Sequence, residues 1–63
     1  MTVYQVLDFL DSAMRSEEVL MQEFVQTHQL LRAAEAEIRL SALRAFRHSL
    51  QLNLAREEGR AQQ

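Results

Sequence analysis

Apolar residues recur three and four positions apart along most of the chain, the spacing of one face of an α-helix. Val3, Val6, Leu7, Leu10, Ala13 and Met14 mark such a face in the first segment, with Gln5, Asp8, Ser12 and Arg15 elsewhere. The start of this helix is well signposted. Thr2 falls at the N-cap and Gln5 at N3, which makes a capping box, and Met1 with Val6 fits a hydrophobic staple. Asp11 and Arg15 form an acid-to-base pair at i,i+4.

The stretch from Glu17 to Arg56 contains no Gly and no Pro and is built mostly of good helix formers. As one helix it spans roughly 60 Å at ~1.5 Å per residue. Two apolar stripes run along its second half. One holds Leu31, Ala34, Ile38, Ala42, Ala45 and Leu52, and the other holds Ala36, Leu40, Leu43, Phe46, Leu50 and Leu54. A surface helix needs only one stripe, and a helix with two is covered on most sides.

Ser16-Glu17-Glu18 carries an N-cap residue followed by acids suited to a helix N-terminus. A tight turn is therefore expected near Arg15-Ser16, between a short helix over 3–14 and a long one over 17–56. Glu17 would otherwise fall on the apolar stripe. A second candidate break, Thr27-His28-Gln29, gives arms of similar length, as in the Rop-type hairpin that dimerises into a four-helix bundle. A single unbroken coiled coil is the third option. It would place Glu17, His28, Glu35 and Ser49 in the seam, which is poor for a dimer. Gly59, the only glycine, fits a helix C-terminus. A single domain over 1–58 with a frayed tail over 59–63 follows.

Length sharpens this picture. A chain of 63 residues rarely gains more than ~3–5 kcal/mol from one core, so small folds lean on disulfides, metals or oligomerisation. Cysteine is absent, which excludes disulfides and thiolate metal sites. Oligomerisation remains. The sequence predicts an all-α fold, a short N-terminal helix packed on one long helix as a helical hairpin, assembling as a homodimeric helical bundle. The short helix is expected to cover the long one near Leu20, Phe24 and Leu31. Ile38, Leu40, Leu43, Phe46, Leu50 and Leu54 are the expected dimer or partner interface.

Charge divides the chain. Residues 1–31 hold five acids against Arg15, while residues 32–63 hold six arginines against four acids, and lysine is absent. The halves suit each other across an antiparallel interface, and the basic half equally suits an acidic partner. Arg39, Arg44 and Arg47 are expected at the rim of a partner site, where the planar, weakly hydrated guanidinium is favoured.

Candidate chemistry is sparse. Ser41 is not spaced to share a face with His48, and no third group orients a base for a nucleophile. His28 and His48 lack HxxxH or ExxH spacing, so no metal and no cofactor are expected. No run approaches the ~20 apolar residues needed to span a membrane, and no signal pattern opens the chain, so a cytoplasmic protein is expected. What remains is non-enzymatic binding. The expectation is a dimeric helical adaptor or antagonist that occludes a larger protein, in the manner of phage- or plasmid-type inhibitors of a host regulator or small secretion chaperones. The alternative is a Rop-like nucleic-acid binder using Arg39, Arg44 and Arg47, which the Leu content between the arginines disfavours.

Overall fold

The computed structural model describes the backbone of residues 1–61 and the side chains of residues 1–59. Two helices, α1 over Val3–Gln26 and α2 over Leu30–Ala61, pack against each other as a hairpin. The molecule measures 53 × 16 × 14 Å.

The capping box forms as the sequence specifies. Thr2 is extended (φ −86°, ψ 162°), and its Oγ1 accepts from the Gln5 amide at 3.2 Å. The Gln5 side chain returns the bond, with Oε1 accepting from the Thr2 amide at 2.8 Å. Two of the four amides that a helix start leaves unpaired are satisfied in this way. The staple does not form, because Met1 is 99% exposed and covers nothing.

The reversal lies at Thr27–Gln29, not at Arg15-Ser16. α1 runs straight through Ser16, so the boundaries expected at 14 and 17 are corrected to 26 and 30. A serine inside a helix costs only a few tenths of a kcal/mol, which a continuous packed face readily offsets. The chain instead stops where backbone hydrogen bonds close a C-cap. The His28 amide donates to the Val25 carbonyl at 3.1 Å and the Gln29 amide to the Phe24 carbonyl at 2.8 Å. This is a Schellman motif with His28 in the left-handed position, at φ 60°. Thr27 Oγ1 donates to the Glu23 carbonyl at 2.9 Å and accepts from Gln29 Nε2 at 2.9 Å, which braces the turn. The Gln29 carbonyl then accepts from the Ala33 amide, opening α2.

The two helices meet along seams with coiled-coil spacing. On α2 the inward residues are Ala33, Ala36, Leu40, Leu43, Arg47, Leu50 and Leu54. On α1 they are Leu7, Leu10, Met14, Glu17, Met21 and Phe24, flanked by Val6, Ala13 and Leu20. Near the turn, small Ala33 and Ala36 lie level with large Met21 and Phe24, which lets the helices converge towards their connection. Leu40 is the most deeply buried large side chain, 1% exposed. Burial among the described residues is nevertheless thin, confined to Leu7, Leu10, Ala33, Ala36 and Leu40. The accessible surface is 5043 Å², about 800 Å² more than the ~4,200 Å² expected of a folded 7.3 kDa chain.

α1 reaches the far end of α2, so the bare C-terminal remainder expected beyond a short helix does not exist. Leu40, Leu43, Leu50 and Leu54 face α1 of the same chain. At the C-terminus the backbone stays helical through Gly59 to Ala61. Of the tail expected over 59–63, Gln62 and Gln63 lie outside the described residues.

Candidate interaction surface

Polar side chains enter the helix–helix seam at two levels, and both are ion pairs. Arg47 Nε donates to Asp11 Oδ1 at 2.6 Å and Nη2 to Oδ2 at 3.3 Å, so the guanidinium grips both carboxylate oxygens. Arg39 Nε lies 3.0 Å from both oxygens of Glu17. The Glu17 side chain is 22% exposed, so an acid on the apolar stripe of α1 is tolerated because α2 delivers a cation to it. At the open end, the Tyr4 hydroxyl donates to Glu58 Oε1 at 3.2 Å. These three links join residues whose midpoints fall at 28–31 along the chain, as an antiparallel hairpin requires.

The pairs set the local proton affinities. Hydrogen bonds from Arg47 hold the Asp11 carboxyl below its ordinary value, against partial desolvation and with further help from the Arg47 and Arg15 charges. The same bond raises the Arg47 guanidinium. Donation to Glu58, and its negative charge, raise the Tyr4 phenol.

The two stripes of α2 have different fates. Ala36, Leu40, Leu43, Leu50 and Leu54 turn inward, while Phe46, assigned to the same stripe, sits at its edge and is about half exposed. The other stripe points to solvent along its whole length. Leu31 is 76% exposed, Ile38 69% and Leu52 46%, with Ala34, Ala42 and Ala45 exposed between them. Phe9 and Val19 add scattered exposed apolar surface on α1. Of the six residues expected at an interface with another chain, Ile38 and Phe46 are thus exposed, Leu40 is buried within the hairpin, and Leu43, Leu50 and Leu54 are half-buried along its seam.

Of the three arginines expected at a partner rim, Arg39 and Arg47 are held by Glu17 and Asp11, and Arg44 makes no ion pair among the described residues. Arg44 lines an open groove of ≈ 820 Å³ along one flank of the hairpin, with Asp8, Arg15, Glu18, His48 and Gln51. The groove mixes both charges and holds no constellation of nucleophile and oriented base. No group of three or more metal-ligating side chains occurs among the described residues, and no helix among them is long and apolar enough to cross a membrane. Sequence reasoning did not assign Asp11 and Glu17 as partners of Arg47 and Arg39. The signal was there in the opposite charges of the two halves, but it needed the position of the turn to become specific. Comparison with known proteins returns no matching family model, no similar curated protein and no similar solved structure.

Proposed function

We propose that this protein is a non-enzymatic binding module, a helical hairpin that acts as a dimer and occludes a surface of a larger protein. One observation carries the reading: the hairpin leaves Leu31, Ile38 and Leu52 standing in water in a row along one helix. Contiguous exposed apolar surface on a small chain marks a site where another macromolecule docks. An amphipathic helix offering residues at seven-residue spacing is the standard form of helix-in-groove recognition. The sparse polar chemistry supports the same conclusion, since neither the groove nor the seam assembles groups that act on a substrate. An antagonist or chaperone of this kind works by steric coverage and needs no more than a stable ridge.

The nucleic-acid reading draws less support. It relied on Arg39, Arg44 and Arg47 acting together on phosphates, and two of these already neutralise carboxylates of α1. The test is affinity capture from the native host with wild-type protein and with Ile38→Glu as bait. A protein captured by the wild type and lost from I38E supports the module. Capture of nucleic acid, with binding that weakens steeply as salt rises, would replace it with the alternative.

A further inference from the structure

The outer ridge of α2 matches itself when reversed. Leu31, Ile38, Ala45 and Leu52 follow one another at intervals of seven and lie diametrically opposite the hairpin seam. Ala34, Ser41, His48 and Ala55 fill the intervening positions, so the ridge is itself a second seam of coiled-coil spacing, with small residues in every alternate place but one. Set a second copy of α2 against it in the antiparallel sense, with a two-fold axis at Ser41. Leu31 then meets Leu52 of the other copy, and Ile38 meets Ala45, large against small. The small residues allow the two backbones to approach at the near end of the ~8–10 Å range of packed helices.

Charge points the same way. Glu37 and Arg44 flank the ridge on one edge, both exposed and neither in an ion pair among the described residues. The antiparallel arrangement brings Glu37 level with Arg44 of the second copy, and the pairing occurs twice by symmetry. A parallel arrangement would set Glu37 beside Ala42 and Arg44 beside Ser49 of the second copy, with no charge pairing.

We infer that the outer ridge of α2 is the seam of an antiparallel homodimer, centred on Ser41 and held in register by reciprocal Glu37–Arg44 pairs. This rests on the functional reading above and assigns the exposed row of α2 to the second copy; the larger protein is then left the outer face of α1, where Phe9 and Val19 stand exposed. The assembly is a four-helix array with α2 of each copy in the middle and α1 outside.

The absence of cysteine makes the geometry testable by cross-linking. Purified Ser41→Cys and Leu52→Cys proteins are oxidised separately and run without reductant. At the two-fold axis the introduced thiols of S41C face each other and form a covalent dimer. Those of L52C lie ~32 Å apart along the helices, at ~1.5 Å per residue, and do not link. Linking of both variants would mean a parallel dimer and overturn the inference. So would linking of neither, whether the protein then sediments as a monomer or as a dimer formed through another face. Both substitutions sit on exposed positions, and circular dichroism checks that the helices persist. In sedimentation equilibrium, Glu37→Arg should weaken the dimer by about tenfold or more through like-charge opposition, and E37R/R44E together should restore it. Failure of the double reversal to restore association would overturn the register. Because these experiments use the purified protein alone, a monomer would refute the self-seam and leave the larger partner to the capture experiment.

Discussion

The turn at Thr27–Gln29 can be tested by replacing the one residue that pays a conformational penalty there. His28 adopts φ 60°, where the Cβ of an L-residue crowds the following carbonyl at a cost of about 1–2 kcal/mol. Glycine has no Cβ and removes that cost, but it loses about 0.4–1 kcal/mol more chain entropy on folding than a residue with a side chain. The His28 side chain is exposed and makes no hydrogen bond among the described residues, so little else changes. His28→Gly should therefore stabilise the protein by about 0.5–1 kcal/mol. In a domain of this size that raises the melting temperature by roughly 2–8 °C. Thermal unfolding followed by far-UV circular dichroism, at matched protein concentration so that any association is held constant, reads the shift. If the chain instead reversed at Arg15-Ser16, His28 would lie inside a helix, and glycine would cost a few tenths of a kcal/mol relative to His. A fall in melting temperature would thus refute the placement of the turn. Ser16→Ala supplies the mirror test. It should gain a few tenths of a kcal/mol mid-helix, whereas an N-cap serine would lose about 0.5–2 kcal/mol.

Other expectations follow from the seam and the caps. Leu40→Ala should cost about 2–5 kcal/mol, a large share of the ~3–9 kcal/mol available to a chain of this length, and denaturant unfolding should show the loss at every protein concentration. Thr2→Ala should cost about 0.5–2 kcal/mol and raise amide exchange in the first turn of α1. Because Arg47 holds the Asp11 carboxyl below its ordinary value, its contribution is full above the unfolded value near pH 4 and is lost as pH falls through the folded value. Asp11→Asn should flatten that part of an acid titration, and an unchanged acid limb would mean the pair does not persist in solution. Replacing Asp11 and Arg47 together by Leu should leave the melting temperature equal or higher, since an ion pair in a seam is readily exchanged for apolar contact. The same variant should show broadened NMR amide signals if the pair serves to select one register.

The helical class, the capping box at Thr2 and the double striping of α2 were legible in the sequence because each depends on local spacing alone. The turn was legible only as the second of two candidate breaks, and the reason is physical. Ser16-Glu17-Glu18 presents the side chains of an N-terminus, whereas Thr27-His28-Gln29 offers no Gly or Asn for a left-handed C-cap. His tolerates that conformation several times more often than most residues, yet far less often than Gly. The misplaced turn then propagated. With a short first helix, the stripe through Leu40, Leu43, Leu50 and Leu54 looked bare and invited a second chain. With α1 running to Gln26, it became the hairpin's own seam, and the stripe through Leu31, Ile38 and Leu52 was left outside. Both stripes were visible, but which one the chain itself covers depended on where it reverses.

The seam charges bear on that same choice. A hairpin of two long, similar helices can reverse at several places with little change in apolar contact, so something must penalise the alternatives. Moving the reversal by one helical turn towards the N-terminus sets Asp11 level with Leu40 and Arg39 level with Leu10. Moving it the other way sets Asp11 level with Leu54 and Arg39 level with Phe24. Reversal at Ser16 sets Asp11 level with Leu20 and leaves Arg47 with no α1 residue to meet. Each alternative sets a charge beside apolar surface without its partner and loses the contribution of the pair. Only a reversal centred near His28 satisfies Asp11 and Glu17 together, at 2.6 Å and 3.0 Å. The ion pairs thus favour this register over its neighbours, and moving the turn away from His28 would break both of them.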